Sequence, residues 1–193
     1  MLPLVLALTL GADFKKVDEV DGVLIESRPV EGSSVVELRL TTKTTKSVQS
    51  LCDAAFGDGK FDKEEPDLKS RKVISESENE RVTYDRISPP VVANRDYAVR
   101  AKRTRVSEQE CSMTFVAANE LAPPKPEGWV RITKLHGEWH FARGTEPDAK
   151  TVVTYTVFSD PAGAIPAFMV EGSRRTFALK WVRMILSRGS EAK

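Results

Sequence analysis

The sequence predicts an α+β fold in which one curved antiparallel sheet wraps around a long C-terminal helix. Between residues 71 and 158, strand-like segments follow one another with only turns between them, and such strands pair mainly antiparallel. One long amphipathic helix is predicted, over residues 165–188. The corner at residues 159–166 contains Pro161 and Gly163, which force a turn and set the angle between the last strand and the helix.

Length and charge limit the function classes. At 193 residues, the chain has the length of a single domain. Lys and Arg number 29 against 28 Asp and Glu, so the net charge of +1 gives no basic surplus that would indicate nucleic-acid binding. We therefore predict a globular domain with no nucleic-acid partner.

The first 12 residues form an uncharged, apolar run. This run is too short to span a bilayer, which needs about 20 residues. Its length and its small residues Gly11 and Ala12 are typical of a secretory signal peptide. We predict a signal peptide over residues 1–12, a binding domain over residues 13–193, and export to the periplasm or the medium. The alternatives are a buried N-terminal segment in a cytoplasmic protein and a weak membrane anchor.

The chain has two cysteines, Cys52 and Cys111, and two histidines. No C-x-x-C motif is present, so this set does not indicate a zinc site. In an exported protein the two cysteines could form a disulfide. Two buried thiols are the alternative, and the sequence does not decide between them.

A hairpin and a short helix are predicted before the run of strands. The hairpin joins strands at residues 22–27 and 35–41 through a turn at residues 31–33. The helix covers residues 46–56, where apolar residues recur at helical spacing, and it ends at the Gly-Asp-Gly sequence of residues 57–59.

The remaining strands must bury one face of the sheet. The C-terminal helix is the only large apolar partner for that face, so we expect the helix to pack across it. This packing leaves space between sheet and helix unless large side chains fill it. The strands are predicted at residues 71–75, 81–87, 95–106, 112–118, 129–141 and 151–158.

Four motifs resemble those of the START (StAR-related lipid transfer) domain family. They are the sequences PPVVANRDY at residues 89–97, GWVRI at residues 128–132, GEW at residues 137–139 and DPAGAIPAF at residues 160–168. They occur in family order, and the resemblance extends from about residue 20 to residue 188. It implies a helix-grip fold that holds one lipid or sterol in an internal tunnel. We predict no cofactor and a monomer.

One position departs from the family pattern. Many eukaryotic START domains have a buried Arg six residues after the Arg of the Arg-Asp-aromatic motif, and that Arg pairs with an acidic residue. Here the motif Arg is Arg95, and the sixth residue after it is Ala101, flanked by Arg100 and Arg103. The resemblance therefore does not predict the polarity of the ligand.

The walls of the tunnel are predicted from the strands and the helix. Large apolar and amphipathic side chains are suited to a pocket lining, and Met adapts to irregular shapes. Arg95, together with Asp96, is a candidate for holding a polar head group. The alternative is a structural role, in which the two side chains lie on opposite sides of the strand and Asp96 bonds the preceding loop. A completely filled core is the alternative to a pocket. The predicted ligand-binding residues are Tyr84, Arg95, Tyr97, Val99, Met113, Phe115, Trp139, Val153, Tyr155, Val157, Met169 and Phe177.

His136, Glu138 and His140 form an H-x-E-x-H sequence on a predicted strand. Residues i and i+4 of a strand lie about 13 Å apart, at about 3.3 Å per residue, so three converging metal ligands would require a bend. We therefore predict that these side chains form a polar, solvent-facing strand and that no metal binds.

We predict a carrier or sensor of one hydrophobic ligand. The cations of residues 100–105 and those of the last helix are typical of a solvated surface, and transient contact with an anionic membrane is the alternative for them. No nucleophile elbow, phosphate loop or dinucleotide motif is present. A cyclase or hydrolase of the same fold is the alternative, and it would require a titratable group such as His136 or Glu138 inside the pocket. A domain that binds other proteins is a third hypothesis.

Overall fold

A computed structural model describes residues 12–60, 62–89, 92–146, 149–163 and 167–191. Nearly all of the predicted leader lies outside the described residues. The strands are β1 (Lys15–Val20), β2 (Val23–Arg28), β3 (Glu37–Thr44), β4 (Leu68–Glu76), β5 (Glu80–Ile87), β6 (Arg95–Ser107), β7 (Glu110–Ala117), β8 (Val130–Arg131), β9 (Lys134–Arg143) and β10 (Thr151–Asp160). The α-helices are α1 (Val48–Phe56) and α2 (Ala167–Arg188), and a 3₁₀ turn covers Asn119–Leu121.

The strands form one sheet with the order β1-β2-β3-β10-β9-β7-β6-β5-β4, in which every neighbouring pair is antiparallel. The chain crosses from β3 to the far edge of the sheet through α1, and β10 returns to pair with β3. The predicted α+β fold class is confirmed: an antiparallel sheet, a short helix after the first strands and a long C-terminal helix.

Side chains alternate along the strands, and one face of the sheet packs against both helices. The buried side chains of α2 are Ala178, Leu179, Val182, Met184 and Ile185, and they join one continuous core with residues of α1 and the central strands. This core fills one end of the space between sheet and helix. Within the described ranges, no helix has the length and apolar content needed to cross a membrane.

Helix α1 has a sequence signal at each end. The Ser47 hydroxyl caps its start by accepting a hydrogen bond from the Ser50 N–H at 3.2 Å. At its end, Gly57 adopts φ +61°, and its N–H donates to the Asp53 carbonyl at 2.8 Å. A disulfide between Cys52 and Cys111 ties α1 to β7, with a Cα–Cα distance of 6.2 Å.

The single strand predicted over residues 129–141 is wrong, because the chain changes partners inside it. Val130 and Arg131 pair in parallel with the start of β6, and the Ile132 N–H donates to the Asp96 carbonyl at 3.0 Å. From Lys134 onward the chain pairs instead with β7 and β10. Strand β7 pairs with β6 only from Val99, so the earlier part of β6 offers a free edge that β8 occupies.

The corner after β10 is held by hydrogen bonds. The Asp160 carboxylate accepts from the Ala162 N–H at 2.9 Å, and Ala162 and Gly163 both have positive φ. The Arg95 guanidinium reaches the same corner and donates to the carbonyls of Pro161 and Ala162 at 3.3 and 3.4 Å. Arg95 thus connects β6 to the segment that leads into α2.

Candidate functional site

A cavity of about 230 Å³ lies between the concave face of the sheet and α2, on the side of the core nearer β5 and β6. Its walls come from β4, β5, β6, β7, β9, β10, the end of α1 and four of the described positions on α2. The apolar part of the lining includes Ile87, Val99, Ala101, Met113, Phe115, Ile132, Leu135, Trp139, Tyr155, Val157, Phe177, Trp181 and Ile185.

Aromatic rings form much of the sheet side of this cavity. The Trp139 and Tyr155 rings stack with centroids 4.0 Å apart, and the Phe115 ring lies 6.2 Å from that of Tyr155. On the opposite wall, Phe177 and Trp181 of α2 meet edge to face at 6.4 Å. Flat, rigid rings on both walls give large contact areas to an apolar guest with little loss of side-chain entropy.

One end of the cavity carries a buried ion network. Arg71 of β4 lies directly across from Asp85 of β5 and donates two hydrogen bonds to its carboxylate, at 2.8 and 2.7 Å. A third donor, Arg71 Nη1, bonds Glu65 Oε1 at 2.6 Å. All three residues line the cavity, and both carboxyl side chains are buried. A charged group this deep needs partners of opposite charge, which the network provides.

Burial and the opposite charges of the partners shift the pKa values of this network in opposite directions. Burial lowers the pKa of Arg71, but its bonds to Asp85 and Glu65 outweigh burial and hold the pKa above its ordinary value. Burial raises the pKa of Glu65, and the attraction of Arg71 offsets this only in part. Burial, reinforced by the Asp85 charge, raises the pKa of the Tyr97 hydroxyl well above its ordinary value.

The cavity approaches solvent beside the segment that follows α1. Its lining includes Asp58 and Lys60, which are exposed. Asp62 in the same segment forms an ion pair with Arg188 in the last turn of α2. Arg81 of β5 donates to the Phe56 carbonyl at 2.8 Å and so connects the end of α1 to the sheet. The mouth therefore lies between the end of α2 and the segment after α1.

Most of the residues predicted to bind a ligand are brought together here. The following eight line the cavity: Tyr97, Val99, Met113, Phe115, Trp139, Tyr155, Val157 and Phe177. Several of them are only partly buried because they face open space inside the protein. Their role in binding stays a prediction.

Three other predicted residues lie elsewhere, and the side chain of a fourth is outside the described part of the structure. The Tyr84 hydroxyl donates to Asp96 at 2.8 Å on the opposite face of the sheet. Val153 is buried in the filled part of the core, and Arg95 holds the corner after β10. Met169 belongs to α2, but its side chain lies outside what the structure describes.

The H-x-E-x-H residues point away from the cavity. Leu135 and Trp139 line the cavity, so His136, Glu138 and His140, at alternating positions, occupy the outer face. His140 Nε2 lies 3.1 Å from the Glu110 carboxylate. Among the described residues, no group of three or more His, Cys, Asp or Glu side chains is arranged to hold a metal.

The sequence interpretation missed the polar end of the cavity. Glu65, Arg71 and Asp85 were not among its candidates. Tyr84 was predicted to line the cavity, and strand alternation then puts Asp85 on the opposite face. In the structure Thr83 and Asp85 line the cavity instead, so no sequence signal indicated this end of the site.

Comparisons with known proteins place this fold among START-like structures. No family model matches the chain. The uncharacterized protein PA1579 of Pseudomonas aeruginosa is 24% identical over 164 residues, which are 83% of this chain and 78% of that protein. The remaining similarity comes from solved structures.

Three solved structures superpose on most of the chain. The STAR-related lipid transfer protein from Xanthomonas axonopodis has a TM-score of 0.76 at 20% identity, over 90% of this chain and 97% of that chain. Human StAR-related lipid transfer protein 5 has a TM-score of 0.76 at 19% identity, over 93% and 86%. The Zhui aromatase/cyclase from Streptomyces sp. R1128 has a TM-score of 0.55 at 10% identity, over 78% and 91%. The chain therefore has the START-like helix-grip fold, as its motifs predict.

Proposed function

We propose that this protein binds a single lipid or other hydrophobic molecule in the cavity between the sheet and α2, and that it carries or senses that molecule. The observation on which the proposal depends is the cavity itself, with its aromatic and aliphatic walls. Two of the solved structures with the same fold are named as lipid transfer proteins, which supports this choice of ligand class.

The size and the lining of the cavity limit the ligand. Its volume of about 230 Å³ is slightly below the 300–1,000 Å³ that small-molecule pockets usually have, so the ligand is compact or the walls move apart to admit it. Removal of apolar surface from water stabilises the complex by about 25 cal/mol per Å². Movement of the segment after α1 or of α2 would open the mouth for exchange.

Mass spectrometry of the purified protein tests the proposal directly. The native protein should carry a bound hydrophobic molecule that organic extraction removes and a mass spectrum identifies. The variant Ala101→Phe places a ring inside the cavity and should be purified empty. The control Thr104→Phe puts the same ring at an exposed position of the same strand and should retain the ligand. A wild-type protein that is empty and takes up no added lipid would contradict the proposal.

An enzyme of this fold is the second candidate. The same fold occurs in an aromatase/cyclase, and the cavity contains the titratable groups Glu65 and Asp85. His136 and Glu138, which the sequence interpretation would have used, lie on the outer face and do not support this function. An enzyme would change the mass of the extracted ligand during incubation, whereas a carrier would return it unchanged.

Export from the cytoplasm is also proposed. The Cys52–Cys111 disulfide supports it, because disulfides persist mainly in oxidising compartments. Fusion of residues 1–12 to a reporter that is active only after export would test the leader. Transient membrane contact and a monomeric state are further proposals that vesicle flotation and light scattering can test.

A further inference from the structure

The polar end of the cavity has one side-chain acceptor atom that no group in the described part of the chain satisfies. Glu65 is only 7% exposed, and its Oε1 accepts from Arg71 at 2.6 Å. Its second oxygen, Oε2, is buried and has no hydrogen-bond partner among the described residues. A buried carboxylate oxygen without a donor is unfavourable, and native proteins rarely leave one in that state.

The Arg71 guanidinium does not supply the missing donor. It uses Nε and Nη2 for the two oxygens of Asp85 and Nη1 for Glu65 Oε1. The nearby Arg188 guanidinium, which also lines the cavity, bonds Asp62. A ligand that brings a donor would complete the network, whereas an anionic group beside Glu65 Oε2 would be repelled by that carboxylate.

We propose that Glu65 is the polar ligand contact of this cavity, and that its Oε2 accepts a hydrogen bond from a hydroxyl or amino group on an otherwise apolar ligand. This inference rests on the proposed function, since it names the chemical class of the molecule in the cavity. Glu65 lies in the segment that forms the mouth, so the donor is held just inside the opening while the apolar part contacts the aromatic walls.

Four probes that share one alkyl chain test the inference. They are decan-1-ol, decylamine, decyl methyl ether, which has no donor, and decanoate, which is anionic. Trp139 and Trp181 line the cavity, so their fluorescence reports binding. We expect the alcohol or the amine to bind about tenfold or more tightly than the ether, because a hydrogen bond to a charged group has about that effect. Decanoate should bind most weakly, and the comparison of alcohol with amine identifies the donor.

Two variants test whether the preference for a ligand with a hydrogen-bond donor depends on Glu65 Oε2. In Glu65→Gln the amide oxygen replaces Oε1 toward Arg71 and the NH₂ group faces the cavity. That group donates equally to an alcohol or an ether, so the preference should fall below about threefold. The control Glu64→Gln changes the exposed neighbouring residue and should keep the wild-type order.

The results separate this inference from the proposed function. Equal binding of decan-1-ol, decylamine and decyl methyl ether to the wild-type protein would overturn the inference and leave the proposed function standing. A preference that survives in a folded Glu65→Gln protein would also overturn it. If none of the four probes binds, both the inference and the proposed function are contradicted. If Glu65→Gln does not fold, the order of the probe affinities for the wild-type protein alone tests the inference.

Discussion

At the scale of single residues, Gly137 shows how closely one wall of the cavity is packed. It lies on β9, where an added Cβ would overlap both the Phe115 ring and the Thr156 carbonyl oxygen. The carbonyl belongs to the strand ladder and cannot easily move away. We expect Gly137→Ala to lower the free energy of unfolding by about 1–3 kcal/mol, measured by urea denaturation, and to push Phe115 toward the cavity.

Gly172 is the matched control for that substitution. It lies inside α2, and a Cβ there would meet no atom within 4 Å. Alanine is the better helix former, so Gly172→Ala should raise the free energy of unfolding by about 0.5–1 kcal/mol. If the two substitutions changed the free energy of unfolding by equal amounts and with the same sign, neither change would depend on the space around the added Cβ.

The titration of Glu65 should make the stability of the folded protein depend on pH. Because burial raises its pKa in the folded protein, the native state keeps a proton that the unfolded chain releases at pH values above the ordinary glutamate pKa of 4.5. Stability then falls as pH rises through this window and levels off above the folded pKa. Glu65→Gln does not titrate, so its stability relative to wild type should increase over the same window. In urea denaturation at a series of pH values, the unfolding free energy of the variant minus that of wild type should increase with pH, and a constant or decreasing value would contradict this prediction.

Strand alternation predicted the apolar wall of the site, but it could not place Arg71. An unbroken β4–β5 hairpin continued from the pair Glu76–Arg81 would put Lys72 opposite Asp85. A bulge between Val73 and Ser75 shifts the register by one residue and brings Arg71 there instead. A single extra residue exchanges the two faces of a strand, and the sequence gives no clear sign of it.

At the scale of secondary-structure elements, α1 is attached to the sheet covalently. The Cys52–Cys111 disulfide closes a loop between residues 59 positions apart. A loop of this length is expected to stabilise the fold by about 4 kcal/mol through the entropy of the unfolded chain. The double variant Cys52→Ala/Cys111→Ala should therefore lose about 2–4 kcal/mol of unfolding free energy in urea denaturation.

A reductant provides the control for this prediction. Wild-type protein in dithiothreitol should unfold at the same urea concentration as the double variant, while the variant itself should not respond. A wild-type protein that is indifferent to the reductant, or that shows free thiols when unfolded without it, would mean that the two cysteines are unpaired.

Elements with a strong apolar pattern were predicted, and those without one were not. Strand β1 (Lys15–Val20) was missed because its side chains are nearly all exposed and no alternation of apolar residues marks it. Strands β8 and β9 were merged because both are rich in strand-forming residues. What separates them is the choice of neighbouring strand, which depends on the three-dimensional position of β6 and not on local composition.

At the scale of the whole molecule, the helix-grip arrangement leaves one part of the interior solid and another hollow. Where α1, α2 and the centre of the sheet meet, side chains such as Leu51, Phe141 and Val182 fill the space. Toward β5 and β6, the sheet diverges from α2 and the cavity remains. The sequence predicted that sheet and helix would meet, but not where their side chains would fail to fill the space, because that depends on packing in three dimensions.

Substitutions of two alanines on opposite faces of β6 test the difference between the filled and the hollow parts of the interior. Ala98 is 0% exposed within packed structure, whereas Ala101 lines the cavity. A leucine at position 98 must displace its neighbours, so Ala98→Leu should cost about 1–3 kcal/mol of unfolding free energy. Ala101→Leu should change stability by less than about 0.5 kcal/mol, because its side chain enters empty space, and it should reduce binding of any ligand there. Calorimetric unfolding of both ligand-free variants makes the comparison. Equal losses of unfolding free energy in the two variants would mean that the interior around Ala101 is as filled as that around Ala98. A protein without a cavity could not bind a ligand between the sheet and α2.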